Sequence, residues 1–243
     1  MICDAHNHLL YGMDSGAATL DQSATMVKAL ISQGITSLIL SPHYKPSEPI
    51  SRFILRRNLA LSELKRHISC EKKHILLVPS AEVQLTDSLI KHPDLDKLVI
   101  PGTPYLPCAL PLDTFPGAMV KGIVYLIQKR RIYPYFLHIE RYITFYSKED
   151  LQRLFSFHNC LWGVTVRALI DDRVSHEVMR LLLGGKTILP STNAHDLSFR
   201  PPETRLEYLN LAGAYGEKVY LQLLKQEKSF IQPLYRLWRR RGY

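Results

Sequence analysis

Met1-Ile2-Cys3-Asp4-Ala5-His6-Asn7-His8 is the stretch on which the reading of this chain turns. Met1-Ile2-Cys3 is short, mostly apolar and compatible with a strand, and along a strand residues i and i+2 point to the same face. His6 and His8 therefore present both imidazoles to one side, where they can share a metal ion, histidine being the commonest metal ligand near neutral pH. The same pair could also pack against the body or face water. What favours a shared site is recurrence: further histidines, each in its own short motif, follow predicted strands downstream.

Working outward, Thr19 opens a helix with Gln22 as its capping-box partner. Met26, Val27, Leu30 and Ile31 form its apolar stripe, and Gly34 sits at the C-terminal cap. Ile35 to Leu40 reads as a buried strand ending at Ser41-Pro42-His43-Tyr44. Residues 51–69 read as a helix with Ile54, Leu55, Leu59, Leu61, Leu64 and Ile68 on or near one face. Arg52, Arg56, Arg57, Lys65 and Arg66 form its solvated side. Ile75 to Val78 is a strand delivering Ser80-Ala81-Glu82. Residues 86–98 are mixed, broken at His92-Pro93. Tyr105 to Leu110 is a strand interrupted by Pro107, and 117–130 a helix. Tyr133 to Leu137 is a strand carrying His138-Ile139-Glu140-Arg141-Tyr142. A helix over Asp150 to His158, a strand over Leu161 to Val166 and a helix over His176 to Leu183 come next, with Asp171-Asp172 as its starting cap. Thr187 to Leu189 is a strand followed by Ser191-Thr192-Asn193-Ala194-His195-Asp196. Helices near 203–213 and 216–226 and an amphipathic segment from Phe230 to Arg241 complete the chain.

Strand and helix alternate almost throughout, which calls for a mainly parallel sheet, closed or doubly wound. In a closed β/α barrel the functional residues gather at the C-terminal ends of the strands. His6 and His8, His43, Glu82, His138 and His195 each follow a predicted strand, so all can meet on one rim. The 243 residues, 46% hydrophobic, suffice for one core, and residues 1–243 read as a single domain. A net charge of +9 suits either a plain basic surface or an acidic partner. The basic end around Arg239-Arg240-Arg241 reads as a solvated helix end or a contact for an acidic surface. The four cysteines form no CxxC pair, which fits a reducing cytosol, and no leader or membrane span is evident.

Taken together, Asp4-Ala5-His6-Asn7-His8, Ser41-Pro42-His43, Ala81-Glu82-Val83, His138-Ile139-Glu140-Arg141-Tyr142 and Asn193-Ala194-His195 with Arg200-Pro201-Pro202 resemble the PHP (polymerase and histidinol phosphatase) superfamily. Within it they are most similar to the bacterial protein-tyrosine phosphatases of capsule and exopolysaccharide operons. The resemblance runs in order from His6 to Pro202. It implies a distorted, TIM-like β/α barrel with the metal site at its C-terminal rim, holding up to three divalent ions, often manganese. It implies a cytoplasmic, metal-dependent phosphatase acting on phosphotyrosine in a protein, a bacterial tyrosine kinase above all. His6, His8, His43, Glu82, His138 and His195 would be metal ligands, with Asn193 at a further ligand position. Arg141 and Arg200 would hold phosphate oxygens, which a planar guanidinium suits.

Three positions depart from the family pattern. Ser15, Ala109 and Asn193 stand where it has carboxylates, so Glu82 alone keeps its negative charge. Dications a few ångströms apart repel strongly, and imidazoles offset little of that. One or two ions are therefore expected rather than three, and a histidine-rich shell shifts preference from manganese toward zinc, with iron also open. Asp14, Asp196 or Asp4 could substitute. Catalysis would rest on Arg141 and Arg200, with His43, His138 and Glu140 as unranked candidate acids. The alternative is a degenerate relative that binds a phosphorylated or acidic partner with little turnover. A nucleic-acid phosphoesterase ranks last, because the aromatic-basic interleaving of a single-strand platform is not evident. No cysteine has Arg six residues on, Gly185-Lys186-Thr187 lacks the rest of a P-loop, and no Gly-x-Ser-x-Gly exists. His67, His74, His92, His158 and His176 read as surface or structural.

Overall fold

Among the described residues the apolar runs become nine short strands, all paired in parallel. A computed structural model describes residues 2–68, 75–112, 115–204 and 211–240, the side chains of 239 and 240 excepted. Cys70, His74 and Arg241 lie outside the described residues, as does most of the helix expected near 203–213.

Strand β1 (Cys3–Asn7) pairs with β2 (Ser37–Leu40), and β2 pairs with β4 (Leu76–Pro79). A second sheet runs β3 (His43–Tyr44), β5 (Glu82–Gln84), β6 (Tyr105–Ala109), β7 (Tyr133–Phe136), β8 (Leu161–Thr165) and β9 (Thr187–Ser191). Two breaks divide the sheets. β2 leads into β3 across Ser41-Pro42, and β4 leads into β5 across Ser80-Ala81. Between the breaks Ser80 N donates to Leu40 O (2.8 Å) and Glu82 N to Pro42 O (3.0 Å). The last strand returns to the first, since Asn193 N donates to His6 O (3.1 Å) and His8 N to Ala194 O (2.9 Å).

Inside this ring lie Cys3, Ala5, Ile39, Val78, Tyr135, Leu137 and Leu189, with residues of the last helix. Strand β1 carries one extra residue, because Asp4 and Asn7 face Leu38 and Leu40. An added residue flips the side-chain alternation. Cys3 and Ala5 below it, and His6 and His8 above it, thus all reach the interior. Pro107 is tolerated because the ladder to β5 starts one residue later, at Cys108.

Helix α1 (Leu20–Ser32) starts at Thr19, whose hydroxyl accepts from Gln22 N (3.2 Å). Gln22 Oε1 answers the Ala18 amide at 2.8 Å, one residue earlier than a capping box requires. Helix α2 (Ile50–His67) departs from its predicted faces. Leu55 and Leu59 are exposed, whereas Arg57 is buried. Its buried stripe runs Phe53, Arg57, Ala60, Leu61, Leu64 at helical spacing, so the guanidinium occupies a core position. The helical elements that follow are α3 (Asp87–Ile90), α4 (Gly117–Tyr125), α5 (Ile139–Phe145), α6 (Lys148–Phe155) and α7 (Ser175–Leu183). Asp171 does not cap α7 with its side chain; its carboxylate grips the Arg173 guanidinium instead.

The two segments expected after residue 216 are one helix, α8 (Glu217–Arg240), continuous through Pro233. Phe230, Ile231 and Leu234 pack into the ring interior. Glu227, fully buried, takes the amides of Ile2 (2.8 Å) and Cys3 (3.3 Å) on one carboxylate oxygen. Helix α8 thus closes the N-terminal end of the strands and leaves the opposite rim to the histidines.

Candidate metal centre

Each strand end brings its side chain to the same rim. His6 and His8 come from β1, His43 from the start of β3 and Glu82 from the start of β5. His138 follows β7 in a left-handed conformation (φ 58°, ψ 47°) and serves as the N-cap residue of α5. That turn, missed in the sequence, converts the strand end into a helix and puts Arg141 in its first turn. Asn193, also left-handed (φ 51°), and His195 follow β9. A Cβ on Gly16 would come within 2.1 Å of His8 O, so glycine lets the 14–16 loop fold over His8.

The Glu82 Oε2 atom is the centre of the arrangement. It lies 3.0 Å from His6 Nε2, 3.4 Å from His8 Nε2, 3.6 Å from His43 Nε2 and 3.8 Å from His138 Nε2. Yet none of these contacts has hydrogen-bond geometry, and the oxygen is buried without a donor. His6 Nδ1, His138 Nδ1, His195 Nε2 and Asn193 Oδ1 are buried and unpartnered as well. Buried polar atoms are seldom left so. Two sets of ligand atoms lie within 4.8 Å of one another, His6-His8-Glu82 and His8-His43-His195. Imidazole nitrogens and one carboxylate converge on a common point, where His8 Nε2 and His6 Nε2 pair only with each other (3.1 Å) and Glu82 Oε2 has no partner, which fits a divalent cation.

The partners behind the ligand atoms are already in place. His8 Nδ1 lies 2.7 Å from Asp14 Oδ2, and His195 Nδ1 donates to Asn193 O at 2.9 Å. Both bonds leave Nε2 toward the cluster. Asp14 Oδ2 also accepts from His43 N (2.7 Å) and lies 3.2 Å from His43 Nδ1, while its Oδ1 takes the Gly16 amide (2.8 Å). Asp14 therefore orients His8 and His43 from behind. The other two possible substitutes are also committed elsewhere. Asp4 accepts from Thr192 N (2.8 Å), Thr192 Oγ1 (2.6 Å) and Asn7 Nδ2 (3.1 Å), and Asp196 caps the amides of Ser198 and Phe199. Ser15 is exposed, and Ala109 lines a cavity of about 230 Å³ with Glu82, His138 and Arg141.

Charge follows the geometry. Burial pulls the His6 imidazole down to about 3 against the pull of Glu82, and burial with the neighbouring His8 takes His195 to about 3. Both are neutral at pH 7, the form a metal requires. Burial alone would lower His8, but its bond to Asp14 and the nearby Glu82 charge raise it. Burial alone would raise Glu82, yet the His138, His6 and His8 rings hold it far below the carboxylate range. Arg141 opens onto the cavity beside Ala109. Arg200 lies near enough to feel Arg141, Asp14 and Glu82; burial and the Arg141 charge lower its pKa. Of the candidate acids, His43 is partly exposed, whereas Glu140 turns to the Thr165 amide (3.4 Å).

The chain is 24% identical over 206 residues to CapC of Staphylococcus aureus, covering 82% of this chain and 78% of that one. It superposes on a crystal structure from work on YwqE of Bacillus subtilis and CpsB of Streptococcus pneumoniae, described as metal-dependent tyrosine phosphatases, with a TM-score of 0.76, 22% identity and 93% of each chain covered. It also matches histidinol phosphate phosphatase of Lactococcus lactis, bound to zinc, L-histidinol and phosphate, with a TM-score of 0.58, 15% identity and coverage of 89% and 93%. The model of the capsular polysaccharide synthesis CpsB/CapC family matches residues 2–231, and the chain belongs to that family.

Proposed function

We propose that this chain is a metal-dependent phosphatase that hydrolyses phosphotyrosine in a protein, within the control of capsule or exopolysaccharide synthesis. The observation that carries the reading is the buried, unpartnered Glu82 Oε2 with four imidazole Nε2 atoms within 4 Å, beside Arg141. His6, His8, His43, Glu82, His138 and His195 would hold the ion, with Asn193 Oδ1 as a weak neutral donor. A bound divalent ion supplies Lewis acidity, activating water and polarising the phosphoryl group.

The remaining work falls to the chain itself. Arg141 and Arg200 hold the equatorial phosphate oxygens and offset the charge that grows on them. Tyrosinate leaves with a pKa near 10, so acid assistance helps without being indispensable; His43, the partly exposed candidate, can give that proton only when its ring is not holding the ion. His8 belongs to both ligand sets, and its Nδ1 is committed to Asp14, so it can serve one ion fully. One or two ions follow, with zinc favoured over manganese or iron by the imidazole-rich set.

The substrate we favour is a bacterial tyrosine kinase. Residues 1–243 act as one domain, a reading supported by structural similarity over 93% of the chain. A cytosolic setting accords with the free buried thiols of Cys3, Cys108 and Cys160, and no described helix is long and apolar enough to cross a membrane. Hydrolysis of an aryl phosphate with zinc, manganese and iron supplied in turn, together with metal analysis, tests the proposal. Turnover should disappear in His6→Ala and Arg141→Ala. Absence of turnover with every metal, while a phosphotyrosine peptide still binds, would leave a binding protein instead.

A further inference from the structure

Arg57 carries a charge that the rim does not use. The residue is 4% exposed. Its Nη1 donates to Ser80 O at 3.1 Å, Nε and Nη2 reach Asn58 Oδ1 at 3.3 Å, and the guanidinium carbon lies 5.8 Å from the Phe53 ring centre. Among the described residues no carboxylate stands within ion-pair distance of it. Burial pulls its pKa down to about 10, so it remains a cation at neutral pH. A buried cation with only neutral partners is costly unless an anion completes it.

Arg57 also lines a cavity of about 570 Å³ between α2, β4 and α8, the size of a small-molecule site. Leu61, Leu77, Pro79, Leu234, Leu237 and Trp238 make its walls largely apolar, and Lys65 and Arg66 add positive charge. Gly102 (φ +80°) shapes one side, because a Cβ there would lie 2.0 Å from Leu237 Cδ1. The cavity shares no lining residue with the one beside Ala109.

We propose that this cavity binds a small amphiphilic anion, with a carboxylate or phosphate-type head on Arg57 and an aliphatic or aromatic body against Leu77, Leu234 and Trp238. Charge selects the head, and the apolar wall selects the body. Neither inorganic phosphate nor a neutral alcohol would satisfy both.

Calorimetric titration of the full chain with octylphosphonate, octanoate, inorganic phosphate and 1-octanol tests this. Octylphosphonate or octanoate should bind saturably and at least tenfold more tightly than phosphate or octanol, and the better of the two identifies the head. Arg57→Met keeps the length and removes the charge, and should weaken binding at least tenfold. Ser62→Trp, at an exposed position on the lining, obstructs the cavity without touching the core and should do the same if Arg57→Met fails to fold. Arg141→Ala should leave the affinity within twofold. The proposal fails if neither amphiphile saturates, if octanol binds equally well, or if binding survives both cavity variants. Loss in Arg141→Ala alone would move the anion to the rim and overturn the proposal while leaving the phosphatase reading standing.

Discussion

Asp4 and Glu82 are both buried carboxylates at the barrel's histidine end, and their surroundings differ in one respect. Every bond Asp4 makes is closed, to the Thr192 amide and hydroxyl and to the Asn7 side chain. It staples β1 to the chain that follows β9. Glu82 has four imidazole nitrogens about its Oε2 and no aimed donor. The same functional group is structural when its lone pairs are spent and available for a ligand when they are not. Electrostatics separates them as well. Burial lifts Asp4 to about 6, while the rings around Glu82 overcome burial and hold it far below its ordinary value.

The largest expected effect breaks the Glu82 side of this contrast. Glu82→Gln keeps shape and removes the charge at the centre of the ligand set. Metal content by mass spectrometry should collapse, and aryl phosphatase kcat/KM should fall on the order of 10²–10³-fold, the range for loss of one charge-stabilising group. Retained metal at wild-type occupancy would show that the imidazoles suffice without it.

The Asp4 side is tested by pH. Its folded pKa, about 6, lies above the ordinary 3.8, so the folded state holds this proton more tightly than the unfolded chain. The resulting stabilisation is complete below the unfolded value and lost as pH rises through about 6. It amounts to roughly 3 kcal/mol at most. In urea denaturation of metal-free protein, the stability of wild type minus that of Asp4→Asn should fall by about that amount between pH 4 and pH 7. Parallel curves would mean that the staple is already satisfied as a carboxylate. Metal content of the variant should stay within twofold of wild type.

Asp14 stands between the two cases, with its bonds closed but closed on the ligands themselves. Asp14→Ala frees His8 and His43 to rotate and should weaken metal binding about 10–100-fold, the usual cost of losing a partner behind a ligand. A competition titration with a chelator reads it. An unchanged affinity would mean that packing alone holds the two rings.

What the sequence could show depended on whether the signal was local. His6 and His8 were legible from strand periodicity, and His43, Glu82, His138 and His195 from their place after strands. The bulge in β1 was not, because one extra residue shows itself only against the partner register. Nor was the left-handed His138, since nothing in His-Ile-Glu-Arg-Tyr marks the residue at which strand gives way to helix. Asp14 could have been suspected from Asp-x-Gly, where an aspartate takes an amide two residues on, as it does from Gly16. Arg57 and Glu227 carried a plainer sign. Each interrupts an apolar stripe at helical spacing, Phe53-Arg57-Leu61-Leu64 and Leu223-Glu227-Ile231-Leu234, where a charge must find a buried use. The continuity of α8 was lost at Glu227-Lys228-Ser229, a polar step that reads as a gap between two segments, whereas Glu227 is buried within one helix that also runs through Pro233.

The smallest expected effect sharpens the contrast by adding to it. Asn193 Oδ1 is buried, unpartnered and neutral, at a position where the family resemblance places a carboxylate. Its backbone already donates to His6 O, and its carbonyl fixes His195 Nδ1, so the side chain can be changed without disturbing either bond. Asn193→Asp adds one negative charge beside His195 at almost no change in volume. Without metal that charge has no donor and should cost stability, as any unpaired buried charge does. With metal it should be compensated, raising affinity a fewfold and lifting the number of ions bound toward two. The two measurements must move in opposite directions: a lower melting temperature for the metal-free variant, and a higher metal content for the loaded one. If both fall together, the carboxylate at 193 faces away from the ions, and the charge deficit left by Ser15 and Ala109 does not limit occupancy.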